Sequence, residues 1–113
     1  MCGIAIIGSH RDNRKKIKKA LSEIKHRGNH PYEYEVFKGA ALGANRLAIV
    51  DEESGRQPKA NEEKTIYATQ NGEIFNHVKL AKRLRSLGHI IKTENDTEIL
   101  PHLWEEYKEK MVH

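Results

Sequence analysis

The sequence lacks the features that mark a protein of an oxidising compartment or a membrane. It has one cysteine, Cys2, which excludes an internal disulfide and a zinc site built on paired cysteines. No apolar run approaches the roughly 18 residues that a membrane span needs. The apolar run from Ile4 to Ile7 is too short for a signal peptide, and no basic segment precedes it. We therefore expect a soluble, cytoplasmic protein with no membrane partner.

Patterns for metals and cofactors are also missing. The 7 histidines are scattered, with no pair at metal-ligand spacing beside a carboxylate, so the sequence predicts no metal site and no cofactor. No pyrophosphate-binding loop and no internal repeat is present. The 113 residues, 37% of them hydrophobic and 32% charged, indicate one small globular domain over residues 1–113.

The charge is unevenly distributed. The net charge is +4, and basic residues concentrate at Arg11, Arg14, Lys15, Lys16, Lys18 and Lys19. Such a cluster is compatible with a nucleic-acid-binding patch. The alternative is the solvated side of an amphipathic helix, because the apolar residues of the same segment recur at helical spacing. No aromatic residues interleave the charges as base stacking would require, and the helix is therefore favoured over nucleic acid as a partner.

Hydrophobic periodicity predicts strands interspersed with helices, and hence an α+β or α/β class. We expect a buried strand at 3–8 and further strands at 32–37, 65–69 and 89–92. An apolar segment at 40–50 is interrupted by Gly43 and by Asn45-Arg46. Asn71-Gly72 is a strong turn signal.

Capping residues predict three helices. The first begins at Asp12 or Asn13 and runs to about residue 26, and the second begins at Asn76 and stops at Gly88. Asn95 and Glu98 have the spacing of a capping box before the third. Pro101 lies inside that helix, where we expect a kink or a cost of roughly 3 kcal/mol.

Cys2 is the residue with the clearest chemical potential. Removal of Met1 gives this residue a free α-amine. Ordinary pKa values of about 8 for such an amine and 8.5 for a thiol let the amine take the thiol proton near neutral pH. One residue then supplies both nucleophile and base. Judged by position alone, a small apolar residue that opens a strand is the better interpretation.

Other motifs along the chain change this interpretation of Cys2. The opening Met1-Cys2-Gly3-Ile4-Ala5 resembles the start of class II glutamine amidotransferases, which are N-terminal nucleophile hydrolases. Further segments resemble that family in the same order along the chain: His26-Arg27-Gly28, Asn45 to Asp51, Gln57-Pro58, Asn71 to Asn76 and Asn95 to Glu98. The set is most similar to the asparagine synthetase branch. Each motif alone is weak, but together they span the whole chain.

The resemblance implies a role for each matching residue. Cys2 would attack the side-chain amide of glutamine, and the Asn71 amide and the Gly72 N–H would stabilise the oxyanion. Arg46 would bind the α-carboxylate of the substrate in a bidentate pair. The remaining pocket residues implied are Leu47, Ile49 and Val50 through their backbone, and Glu73 and Asp96 at the α-ammonium. Without the resemblance, Asn71-Gly72 reads as a hairpin turn, Arg46 as a surface residue and Asp96 as a helix cap.

The resemblance also implies a fold. It is a partial αββα sandwich, with two stacked antiparallel sheets and flanking helices, whose later strands lie outside this sequence. Open sheet edges would then favour a homo-oligomer or a synthetase-type partner chain, and would lower activity. The alternatives are a non-catalytic glutamine-binding or interaction module and a small basic nucleic-acid-binding protein.

Overall fold

The computed structural model describes residues 2–47 and 55–113. Two residues of the predicted glutamine pocket, Ile49 and Val50, lie outside this described part. The chain divides into two compact units. The first comprises Met1–Pro58 with Thr69–Gly72, and the second comprises Lys59–Ala68 with Glu73–His113.

A three-stranded antiparallel sheet forms the first unit. Its strands are β1 (Gly3–Gly8), β2 (Glu33–Val36) and β3 (Ala40–Asn45), in the order β1-β3-β2. The register pairs Gly3 with Asn45 and Gly8 with Ala40. Gly43 does not interrupt β3, contrary to expectation. A Cβ atom there would lie 2.5 Å from Leu21 Cδ1 and 2.9 Å from the Glu33 carbonyl oxygen, so the glycine allows close packing inside the strand.

Helix α1 (Asn13–Glu23) packs on β1 and β3. Ile17 and Leu21 are completely buried beside Ala41, while most of the basic residues on the helix are exposed, which is the predicted amphipathic arrangement. The helix ends before residue 26, and a short 3-10 helix follows at Lys25–Arg27. Asp12 is the N-cap residue, one of the two expected, but it has φ 56° and its side chain makes no capping hydrogen bond.

The continuous apolar run of β1 suggested a strand that is buried on both sides, but only one side is buried. Ala5 and Ile7 pack toward the core under α1. Ile4 and Ile6 alternate with them and are 40% and 65% exposed. A continuous apolar run here therefore marks a strand with one exposed apolar face.

The second unit combines a two-stranded sheet with two helices. Strands β4 (Lys59–Ala60) and β5 (Tyr67–Ala68) pair antiparallel. Helices α2 (His77–Ser86) and α3 (Ile99–Tyr107) contribute most of a core that is formed by Ala81, Leu84, Ile91, Ile99 and Leu103. Short 3-10 helices lie at Asp96–Glu98 and Lys108–Val112. Gly88 has φ +100°, the left-handed conformation expected after a helix C-terminus.

Three local expectations for this part of the chain are wrong. Residues 89–92 form no strand, because backbone amides there donate to carboxylates: Ile90 to Glu62, and Lys92 to Glu98. Asn71-Gly72 is no hairpin turn, since β5 pairs with the preceding strand β4. Pro101 is the third residue of α3, where a missing N–H removes no intrahelical bond.

The predicted α+β class is confirmed, with antiparallel sheets and flanking helices, and it is consistent with a partial N-terminal nucleophile hydrolase fold. None of the helices in the described ranges is long and apolar enough to cross a membrane.

Candidate functional site

The Cys2 thiol lies at the point where the register of the sheet brings distant segments together. Cys2 immediately precedes β1, and Gly3 pairs with Asn45, the last residue of β3. The two residues after β3 therefore lie beside Cys2. The Leu47 backbone N–H donates to Cys2 Sγ at 3.4 Å, and the half-buried Cys2 is further held by Arg27, whose Nε donates to the Cys2 carbonyl oxygen at 3.2 Å.

The turn after the 3-10 helix holds the backbone of Arg46, the residue before Leu47. The backbone N–H groups of Asn29 and His30 donate to the Arg46 carbonyl oxygen, at 3.1 and 3.4 Å. A Cβ atom on Gly28 would lie 2.7 Å from that same oxygen and 3.0 Å from the Arg46 nitrogen. Only a glycine allows this approach of two backbone segments, so Gly28 contributes to the position of Arg46 and Leu47.

Arg46 combines a fixed backbone with a guanidinium that lines a cleft. The guanidinium lies directly against Gly55, where a Cβ atom would overlap it. The cleft has a volume of about 190 Å³ and is also lined by His30, Pro31, Glu33 and Arg56. Arg56 Nε lies 3.5 Å from Glu33 Oε1, so this cleft contains two guanidinium groups and one carboxylate.

A buried glutamine fixes the segment that leads to the predicted oxyanion donors. Gln57 Oε1 accepts from Thr69 Oγ1 at 2.7 Å and from the Gln70 N–H at 2.8 Å. Asn71 and Gly72 follow directly and are exposed, and a Cβ atom on Gly72 would meet nothing within 4 Å. Sequence reasoning used Gln57 only as part of a matching motif, and its anchoring contacts are visible only in the structure.

The two predicted ammonium-binding residues belong to the second unit. Asp96 lies in the 3-10 helix before α3, and its Oδ2 accepts from the Ile74 N–H at 2.7 Å. That bond fixes Asp96 against the residue that follows Glu73. Glu73 is exposed. The structure thus brings the two acidic segments together within this unit.

The second unit also contains a cluster that sequence reasoning missed. Glu62, His89, His102 and Glu105 each direct one potential ligand atom to a common point, all within 4.8 Å of one another. The three segments involved are far apart in sequence. His102 and Glu105 lie three residues apart on α3, a spacing known from helical metal sites, and this pair is a local signal that the sequence analysis did not use. His102 is 1% exposed, and its Nδ1 lies 3.2 Å from His89 Nδ1.

The environment shifts the pKa values within this cluster in different directions. Burial holds the pKa of His102 below its usual range, although the carboxylate of Glu62 opposes the shift. Burial also acts to lower the pKa of His89, but the hydrogen bond to Glu106 and the nearby carboxylates outweigh it and raise the value. Burial acts to raise the pKa of Glu62, and the Ile90 N–H together with the histidines lowers it.

Comparison with known proteins gives a consistent result. A family model described as "Glutamine amidotransferase domain" matches residues 1–113. The asparagine synthetase [glutamine-hydrolyzing] of Sandersonia aurantiaca is 42% identical over 117 residues, which cover 100% of this chain and 22% of that protein. Asparagine synthetase [glutamine-hydrolyzing] 3 of Arabidopsis thaliana is 40% identical over 116 residues, covering 99% of this chain and 20% of its own length.

A relative from outside the plants shows the same coverage. The probable asparagine synthetase [glutamine-hydrolyzing] of Dictyostelium discoideum is 43% identical over 118 residues, covering 100% of this chain and 21% of its own. The chain therefore spans about a fifth of the length of these curated relatives.

Proposed function

Because the chain belongs to the glutamine amidotransferase domain family, we propose that it hydrolyses the side-chain amide of glutamine with Cys2 as the nucleophile. We further propose that the ammonia serves an amide synthesis of the asparagine synthetase kind, as the names of its relatives suggest. The observation that carries the proposal is the contact between the Leu47 N–H and Cys2 Sγ at 3.4 Å. It puts the only thiol of the chain beside the arginine segment implied to bind glutamine.

The chemistry follows from the nature of these groups. The α-amine exposed by removal of Met1 takes the thiol proton, and the Leu47 N–H donates to the sulfur. The sulfur then forms a bond to the side-chain carbonyl carbon of glutamine. The bond between that carbon and the amide nitrogen breaks, and the nitrogen takes the proton held by the Cys2 α-amine and leaves as ammonia. Water hydrolyses the γ-glutamyl thioester, which returns the thiol and releases glutamate.

The substrate contacts are assigned from the family resemblance together with the positions described above. Asn71 and the Gly72 N–H stabilise the oxyanion, and Gln57 fixes the segment that carries them. Arg46 binds the α-carboxylate, because a guanidinium matches a carboxylate with two parallel hydrogen bonds. The other proposed substrate contacts are Leu47, Ile49, Val50, Glu73 and Asp96.

A glutaminase assay on the wild-type chain and a Cys2→Ala variant tests this proposal. We expect glutamate release by the wild type and a fall of at least about 1000-fold in the variant, because removing a nucleophile leaves only residual catalysis. An Arg46→Lys variant should raise the KM for glutamine by about tenfold through loss of the bidentate pair, whereas Arg11→Lys, on the exposed surface, should not. Undiminished hydrolysis by Cys2→Ala would contradict the proposal.

The amine-as-base mechanism predicts that Met1 is absent from the mature chain. Cys2 has a free α-amine only when it is the first residue. Intact mass spectrometry of protein from its native host should therefore read one methionine short of the translated sequence. A chain that retains Met1 in full while hydrolysing glutamine would show that another group accepts the thiol proton.

A further inference from the structure

We propose that Glu62, His89, His102 and Glu105 form a tetrahedral site for a divalent transition-metal ion of the zinc class. The site lies wholly in the second unit. It is independent of the Cys2 chemistry, and its ligands are the imidazole and carboxylate groups that zinc takes most often after thiolate.

The separations between the four groups match the size of such an ion. Four ligands at about 2.0–2.1 Å from a zinc ion lie roughly 3.3 Å from one another when the geometry is tetrahedral. His89 Nδ1 and His102 Nδ1 are 3.2 Å apart. Glu62 Oε1 is 3.3 Å from His89 Nδ1, and Glu62 Oε2 is 3.3 Å from His102 Nδ1. Glu105 Oε2 is 4.0 Å from His89 Nδ1, and the four ligand atoms lie within 4.8 Å of one another, so Glu105 must move inward to complete a tetrahedron.

A bound cation would suit the Nδ1 atoms of His89 and His102 better than a proton on each of them. Both Nδ1 atoms face the Glu62 carboxylate, yet they are so close to each other that two protons would crowd the same space. A divalent cation instead accepts one lone pair from each nitrogen. Two carboxylates and one divalent ion also balance in charge, which removes the cost of gathering two negative groups around a buried histidine.

Neighbouring groups hold three of the four ligand residues by hydrogen bonds. Glu106 Oε1 lies 2.9 Å from His89 Nε2, a contact that favours the tautomer with its proton on Nε2 and its lone pair on the inward-facing Nδ1. Asn61 Nδ2 donates to Glu105 Oε2 at 3.2 Å, and the Ile90 N–H donates to Glu62 Oε1 at 2.6 Å. His102 makes its polar contacts with the cluster through Nδ1, and within the described residues its buried Nε2 has no hydrogen-bond partner.

Titration of the metal-depleted full chain with Co²⁺ and Zn²⁺ tests the site. The titration is run at about pH 8, where protons compete least for the histidines. Tetrahedral Co²⁺ absorbs visible light far more strongly than octahedral Co²⁺, so the spectrum reports the geometry, and calorimetry with Zn²⁺ gives stoichiometry and affinity. All titrations are repeated in a Cys2→Ala background, which removes the thiol as a competing ligand.

The variants are chosen to keep the fold. Glu105→Gln alters a partly exposed side chain and His89→Asn one that is 8% exposed, whereas His102 is too buried to replace safely. Matched controls are Glu63→Gln, the exposed neighbour of Glu62, and His10→Asn, an exposed histidine of the first unit. Circular dichroism confirms that each variant is folded.

We expect one equivalent of metal with a tetrahedral Co²⁺ spectrum, an affinity at least about tenfold weaker in Glu105→Gln and His89→Asn, and no change in the controls. Glu106→Gln, which touches only His89 Nε2, should weaken binding by a smaller factor. Binding that is unchanged in Glu105→Gln and His89→Asn, or that disappears with Cys2→Ala alone, would overturn the proposal.

Discussion

At the scale of single residues, the Cys2 environment depends on backbone groups that small side chains allow to meet. Gly28 lies against the Asn45-Arg46 backbone, and Gly43 lies against Leu21 and β2. Both positions leave no room for a methyl group. The contact of Leu47 with the thiol is therefore the result of close backbone packing on both sides of β3.

Gly43→Ala should destabilise the first unit. The added Cβ atom would lie 2.5 Å from Leu21 Cδ1, 2.9 Å from the Glu33 carbonyl oxygen and 3.1 Å from Tyr34 Cβ, so the core and a neighbouring strand must shift. Overpacking of this kind costs about 1–3 kcal/mol. The free energy of unfolding in urea measures it.

Gly8→Ala is the matched control, because Gly8 also lies in the sheet but a Cβ atom there meets nothing within 4 Å. We expect its effect to stay within about 0.5 kcal/mol. Equal stability of the two variants would show that the packing around Gly43 is looser than described here.

At the scale of elements, Glu98 fixes the segment between α2 and α3. Its buried carboxylate accepts from the Lys92 N–H at 2.8 Å, the Thr93 N–H at 2.7 Å and the Thr93 hydroxyl. These bonds take the place of the backbone hydrogen bonds to a neighbouring strand that the predicted strand at 89–92 would have made. They connect the start of α3 to the chain that precedes it.

Glu98→Gln should lower stability near neutral pH by about 1–3 kcal/mol, because a buried charge-assisted acceptor is lost. Burial acts to raise the pKa of the Glu98 carboxyl, but its hydrogen bonds with Thr93 and Lys92 and the charge of Lys59 outweigh burial and lower it. A lowered pKa in the folded state means that this stabilisation is complete above the unfolded pKa, about 4.3. The stabilisation disappears as the pH falls through the pKa of Glu98 in the folded state.

The difference between wild type and Glu98→Gln in the free energy of unfolding should therefore shrink when the pH is lowered from neutral into this acidic range. Glu94→Gln is a suitable control, since Glu94 is exposed and lies four residues before Glu98. A difference that grows on acidification would contradict the assigned hydrogen bonds.

The helices could be predicted from sequence, whereas the connections between them could not. Ile17 with Leu21, and Ala81 with Leu84, recur at helical spacing and are buried as expected. The predicted strand at 89–92 failed because Glu62 and Glu98 capture its amides, and no local pattern reveals side chains that bind backbone from another segment. The cluster of Glu62, His89, His102 and Glu105 was also not predicted, because its residues come from three segments that only the fold brings together. For the Cys2 site, the resemblance indicated the residues, and only the register of β1 with β3 gave their proximity.

At the scale of the whole molecule, exposed apolar side chains are the feature that most affects behaviour in solution. Ile6 in β1 is 65% exposed and Ile4 is 40% exposed on the same face of the sheet. Within the described residues, β1 and β2 are also the outer strands of their sheet. Apolar surface beside an unpaired edge promotes association.

We expect the 113-residue chain to self-associate as its concentration rises, and to turn over glutamine more slowly than a polypeptide that includes the later parts of its relatives. Ile6→Thr should shift sedimentation velocity toward the monomer. Val112→Thr changes an apolar residue that is 77% exposed near the C-terminus and should not. A chain that stays monomeric at every concentration would contradict this expectation.

If Cys2 is a nucleophile inside a glutamine site, as proposed, a reactive glutamine analogue should label it. A glutamine analogue that carries a diazoketone alkylates a nucleophile only where glutamine binds, and peptide mass spectrometry locates the adduct. Labelling remains measurable even when turnover is slow. We predict a single adduct on Cys2, formed faster than with a simple thiol reagent and suppressed by saturating glutamine. Equal labelling of Cys2 with and without glutamine, or labelling elsewhere in the chain, would contradict the account.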